Sequence, residues 1–333
     1  GDYEKAYDYL FKAYEIEKRN FGANHINLAT NYNNISINYL RKGELEKAKE
    51  YSIKAINLYE KNLGENHPDV ARALSNLALI YKDNGIYFEA ESLLTRSLEI
   101  REKVLGELHP DTAISLNNLG ILYINQGLIS KGEEVLKRNL EIVKTNYGNI
   151  HPETATAFNN LALVYEDPKK SIPLLKKSLK ITKEIYGANN ANSLAAMSNL
   201  ALAYFENKEY EKAEKLFLEA IDMDRKILGE KHISNTITMS NLANLYLAIS
   251  EYKKAEKLLL ESLSIRKEYL NREHPDIASN LIDLGEIYKE KGLIEKAIDL
   301  TEKGIKMDIL LIQREAPFLN LEDRLNYVSE FNY

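Results

Sequence analysis

Apolar residues recur through most of the chain at i, i+3, i+4 and i+7, the spacing of one face of an α-helix. In one stretch the stripe is Leu74, Leu77, Ala78 and Tyr81. Two such stripes, joined by a short turn, make a unit that repeats. Glycines mark its period at Gly22, Gly64, Gly106, Gly148, Gly187 and Gly229, with spacings of 42, 42, 42, 39 and 42. A fixed period of that size, carrying two helical patterns, predicts an all-α solenoid of stacked helix pairs. Seven pairs are expected, at 26–64, 68–106, 110–148, 152–187, 191–229, 233–271 and 275–306.

Local signals place the helix ends. His67-Pro68-Asp69, His109-Pro110-Asp111, His151-Pro152-Glu153 and His274-Pro275-Asp276 open first helices. Proline loses nothing at the first helical position, and an early acid suits the helix dipole. His25-Ile26-Asn27 and His232-Ile233-Ser234 are weaker versions. First helices stop at turns with Gly43, Gly85, Gly127 or Gly292. Second helices carry a small residue where the pair must close up: Ala48, Ala90, Gly132, Ala213, Ala255 and Ala297.

Three stretches depart from the pattern. Residues 1–22 match a second helix without its first, so the chain is expected to be a fragment of a longer protein. The fourth pair is three residues short, with Pro168 and Pro173 around its turn. Residues 307–333 are expected to form capping or linker helices, with Asn320 and Asp323 as a capping pair.

Asparagines recur at one place in the first helices: Asn34, Asn76, Asn118, Asn160, Asn199 and Asn241, with Asp283 closing the series. On a helical wheel Asn76 lies about 160° from the core stripe, so the column faces away from the core. Asparagine costs a helix interior roughly 0.5 kcal/mol relative to alanine, so six in register need an offsetting gain. One candidate is binding the N–H and C=O groups of an extended peptide. The other is hydrogen bonding between neighbouring first helices. Three residues on, Ile37, Leu79, Ile121, Leu163 and Leu202 suggest apolar pockets, or packing across a curved solenoid; the column then turns polar at Asn244 and Glu286. Four residues upstream, Thr30, Arg72, Ile114, Thr156, Ala195, Ile237 and Ser279 vary, as selectivity positions would. Arg72 is the candidate there for an acidic ligand group.

Composition removes other classes. The chain has 333 residues and a net charge of −6, which argues against nucleic acid or an anionic membrane as partner. Cysteine is absent, which excludes thiolate chemistry. No apolar run approaches the ~20 residues of a membrane helix, and no signal-peptide pattern opens the chain, so a cytoplasmic protein is expected. The tyrosines Tyr39, Tyr81, Tyr123, Tyr165, Tyr204, Tyr246 and Tyr288 lie on the core stripe and read as packing, not as a stacking platform. All six histidines share one repeat position, where stacked helices ~8–10 Å apart cannot bring them to one ion. They read as turn and cap residues. Charged runs such as Arg101-Glu102-Lys103 read as a solvated outer face. No phosphate loop, zinc motif or nucleophile motif occurs, so no catalytic residue, metal or cofactor is expected.

Leu-Asn-Asn-Leu-Gly-x-Leu-Tyr at 116–123, Ala-Glu-x-Leu at 90–93 and Leu-Gly-x-x-His-Pro at 105–110 resemble tetratricopeptide repeats of the 42-residue kinesin-light-chain type. The resemblance covers about residues 1–306. Asn190 stands where histidine is usual, and Asn271 where glycine is. It implies a right-handed superhelix whose first helices line a concave groove for a peptide or protein segment, with the asparagines touching peptide main chain. A second resemblance lies in Ala316-Pro317-Phe318-Leu319 and Asp323-Arg324-Leu325-Asn326-Tyr327, similar to the segment that joins bacterial repeats to a caspase-like CHAT protease domain. The expected function is therefore a non-enzymatic protein-binding module. The alternatives are the sensor arm of a CHAT-type protease and a structural scaffold.

Overall fold

The computed structural model describes residues 3–315, apart from 43, 84, 188, 189 and 271–273. Fifteen helices occur among the described residues, packed as consecutive pairs. They fall into two compact units, Gly1–Asn146 and Tyr147–Tyr333.

The first unit opens with the lone helix α1 (Tyr3–Phe21), which packs on α2 (Asn27–Arg41). α2 pairs with α3 (Leu45–Leu63), and α4 (Pro68–Lys82) with α5 (Tyr87–Leu105). α6 (Pro110–Asn125) and α7 (Ile129–Tyr147) complete the third pair. First helices also touch one another, α2 against α4 and α4 against α6. The core stripe is buried as its spacing predicts: Leu74, Leu77 and Ala78 are each at most 4% exposed. Ala48, Ala90 and Gly132 are buried at the close approaches. At Gly120, a β-carbon would stand 2.4 Å from Leu136 Cγ, so α6 and α7 meet there only because the side chain is missing.

A file of buried hydroxyls crosses the layers of this unit. Ser97 Oγ donates to the Ala71 carbonyl at 2.8 Å and lies 2.8 Å from Ser75 Oγ and 3.2 Å from Ser115 Oγ. Arg101 joins it, donating from Nη1 to Ser115 Oγ at 2.8 Å and to the Asp111 carbonyl at 2.9 Å. Arg101 is 4% exposed. The expectation that Arg101-Glu102-Lys103 forms a solvated face is corrected at this residue: Arg101 ties one pair to the next, and only Lys103 of the three is exposed.

The second unit contains α8 (Pro152–Ala162) with α9 (Pro168–Tyr186), α10 (Ala191–Glu206) with α11 (Tyr210–Leu228), and α12 (Asn235–Ala248) with α13 (Tyr252–Tyr269). α14 (Pro275–Glu290) packs on α15 (Ile294–Glu315). α15 runs unbroken through Met307, so the boundary expected at 306/307 lies inside a helix. The tail motifs at 316–333, Gly43 and Asn271 lie outside the described residues. α8 has 11 residues where α6 and α10 have 16. The lost residues are those of the turn: Tyr165 precedes the small residue Ser171 by six positions, while Tyr204 precedes Ala213 by nine. Asp167 recovers a cap for α9 by accepting from the Lys169 N–H at 3.0 Å, with Pro168 at the first position and Pro173 inside the helix.

Candidate functional site

The histidine column builds helix starts. His67, His109, His151 and His274 each accept at Nδ1 from the backbone N–H two residues on, at 3.0–3.2 Å. His25 and His232, which lack the proline, do so at 3.3 Å and stand one and two steps further from their helices. The four rings that precede a proline are N-caps, each satisfying an orphan helix donor.

The tyrosine column is the seam between pairs. Tyr123, Tyr246 and Tyr288 donate their hydroxyls to Glu91, Glu214 and Glu256 of the preceding pair at 3.1, 2.7 and 2.6 Å. Burial first, then Glu91, pushes the Tyr123 phenol up to about 12. Lys131, Lys254 and Lys291 lie 4.9–5.5 Å from the same rings. On the outside, ion pairs run from second helix to second helix: Arg96–Glu60, Arg138–Glu102, Lys183–Glu219 and Arg225–Glu261, at 2.6–2.9 Å.

The remaining face of the first helices is where the candidate site residues lie. Asn34 is exposed, and Asn76, Asn118, Asn160, Asn199 and Asn241 are half-buried. Asn76 Nδ2 donates to Asn33 Oδ1 on α2 at 2.9 Å, and Asn199 Nδ2 to Asn159 Oδ1 on α8 at 2.9 Å. The amides thus hold neighbouring first helices together at these two places. One N–H of each Nδ2 is used in this way; no hydrogen bond reaches Oδ1 of Asn76 or Asn199 among the described residues, which leaves an acceptor at each. Asp283, in the same column, is half-buried. Burial raises its carboxyl to about 6, opposed by Arg266 and reinforced by Glu286.

The neighbouring columns differ in access. Leu79, Ile121 and Leu202 are half-buried, while Leu163 is 47% exposed. Asn244 and Glu286 are exposed. Thr30, Arg72, Ile114, Thr156, Ala195, Ile237 and Ser279 are all exposed, Ile114 by 48% and Ile237 by 62%. Arg72 is already neutralised by Asp69, 2.8 Å away on its own helix, and donates to Tyr59 Oη at 3.4 Å, which weakens its case as an anion receptor. The short fourth pair opens a cavity of about 220 Å³ on this face, which includes Leu163, Asn199 and Leu202 in its lining. Sequence reasoning missed it because it arises from absent residues. No group of three or more metal-ligating side chains occurs among the described residues. Nor is any helix there long and apolar enough to cross a membrane.

Comparison with known proteins follows the repeat boundaries. Tetratricopeptide repeat models match residues 1–61, 37–85, 69–131, 166–226 and 234–309, and a further one matches 112–153. No curated protein matches the sequence. Among solved structures, a kinesin-light-chain candidate of Podosopora anserina with nearly identical TPR-like repeats is 25% identical, with a TM-score of 0.52 over 62% of this chain and 99% of its own. A Rap protein complexed with Competence and Sporulation Factor is 16% identical, with a TM-score of 0.60 over 90% of this chain and 86% of its own. A Signal Transduction ATPase with Numerous Domains from Pyrococcus horikoshii, which has a tetratricopeptide repeat sensor, is 20% identical. Its TM-score is 0.59 over 89% of this chain and 44% of its own. The last two likenesses are of fold.

Proposed function

Since the chain belongs to the tetratricopeptide repeat family, whose repeats generally mediate protein–protein interaction, we propose that it grips an extended peptide or protein segment along its first helices. The observation that carries this reading is the uniformly exposed column Thr30, Arg72, Ile114, Thr156, Ala195, Ile237 and Ser279. It flanks Asn76 and Asn199, whose Oδ1 atoms can accept a backbone N–H. Large apolar side chains left open beside hydrogen-bond acceptors suit a bound segment better than water. The Rap protein complexed with Competence and Sporulation Factor supports it at the level of fold.

A displayed library of random peptides, selected against the protein, tests the reading. An enriched peptide should bind either Ile114→Asp or Ile237→Asp, one variant in each unit, at least about tenfold more weakly, as loss of a buried apolar contact does. Both residues are exposed, so each variant should melt as the parent does. Equal affinity for the parent and both variants would remove the reading.

A second reading makes the same binding the input of a larger protein. The Pyrococcus horikoshii ATPase, with its tetratricopeptide repeat sensor, favours it at the level of fold. A larger native open reading frame with a catalytic or signalling region would support it.

A further inference from the structure

The cavity of the fourth pair is lined by Ala162 and Leu163 at the end of α8, and by Tyr165 and Glu166 of the short turn. Ser171 and Leu175 of α9 and Asn199, Leu202, Ala203 and Glu206 of α10 complete it. α8 stops at Ala162, three residues before its tyrosine, whereas α10 continues two residues past Tyr204 to Glu206. The last turn of α10 therefore stands beside a gap where a full-length partner helix would lie. At about 220 Å³ the gap is below the roughly 300–1,000 Å³ of drug-sized ligand sites. It has room for one side chain.

Its chemistry is specific. Leu175, 2% exposed, and Ala203, 4% exposed, give an apolar floor, and Leu163 and Leu202 give an apolar side. Two carboxylates, Glu166 and Glu206, complete the lining, and among the described residues neither has a salt-bridge partner. Partial desolvation by its surroundings holds Glu206 above the usual carboxylate range. Asn199 adds an Oδ1 that takes no hydrogen bond there, its Nδ2 being given to Asn159.

We infer that this cavity is a specificity pocket for a lysine or arginine side chain of the bound segment. The inference rests on the proposed binding reading and names its selectivity. A long basic side chain lays its methylenes along apolar surface and carries its charge to the far end. Here the methylenes lie against Leu163 and Leu202, and the head meets the carboxylates of Glu166 and Glu206. The carboxylate oxygens accept from the N–H groups of an ammonium or guanidinium head. The bound cation also supplies the counter-charge that the two carboxylates lack.

The test uses pools of short random peptides with one position fixed as Lys, Leu or Glu, titrated against the whole protein. The Lys-fixed pool should bind the parent about tenfold more tightly than the Leu-fixed pool at one position, the scale of a charge-assisted hydrogen bond. That preference should vanish in Glu166→Gln/Glu206→Gln. It should persist in Glu184→Gln/Glu211→Gln, which removes the same charge from exposed second-helix positions. Leu163→Arg, at an exposed site, should fill the pocket from within and abolish the preference too. Absence of a Lys preference in the parent overturns the inference while leaving the binding reading intact. So does a preference that survives Glu166→Gln/Glu206→Gln, or one equally lost in the control. Failure of every pool to bind overturns the binding reading, and this inference with it.

Discussion

At the scale of single residues, what a side chain does is fixed by which neighbour it reaches. Asp283 occupies the asparagine column but brings a carboxylate, raised by burial to about 6 from an ordinary 3.8. The folded protein thus binds that proton more tightly than the unfolded chain. The contribution of this group to stability is most favourable below about pH 4, falls as pH rises through 6, and carries its full penalty, about 3 kcal/mol, above it. Asp283→Asn should raise stability at pH 8 by about 1–3 kcal/mol and leave it unchanged at low pH, measured by urea unfolding at each pH. Ser250 offers a backbone test. It holds φ +62°, where Gly85, Gly127 and Gly292 hold +70° to +75° at the same repeat position. Left-handed backbone costs a residue with a β-carbon about 1–2 kcal/mol. Ser250→Gly should therefore stabilise by about 0.5–1 kcal/mol, read as a raised Tm. A lowered Tm would contradict the account of this turn.

At the scale of helices and their pairs, caps and close approaches hold the repeat. His109→Ala removes the acceptor that Asp111 N–H uses at 3.0 Å, and should cost about 1 kcal/mol, with His109→Ser recovering most of it. Gly120→Ala pushes a methyl against Leu136, and should cost about 1–3 kcal/mol by chemical denaturation. Gly132→Ala meets nothing nearer than 3.4 Å and should be milder. The helix pairs were legible in the sequence because the apolar stripe recurs in every one, and in the pairs at 68–106, 110–148 and 152–187 the His-Pro-acid start and the terminal glycine coincide with it. The asparagine column was legible in its direction, since periodicity alone turns it from the core. Its partners were not, because Asn33 and Asn159 act from one position earlier on the preceding helix. The Asn-Asn doublets at 33–34, 117–118 and 159–160 were the available clue. Arg101 was misread for a related reason. Charge predicts solvent exposure along one helix, while the acceptors that bury this guanidinium lie 10 and 14 residues on, in the next pair.

At the scale of the whole molecule, the chain spends its second helices on packing and ion pairs, and keeps one exposed, varied face on its first helices. That division is the central claim. The most direct test is hydrogen exchange, read by mass spectrometry, with and without a peptide selected from a random library. Binding should slow exchange in first helices such as α4, α6, α10 and α12, and at the turn after α8. Second helices such as α5, α11 and α13 should exchange as before. Protection confined to the second helices would contradict the claim, and so would the failure of any peptide to be selected.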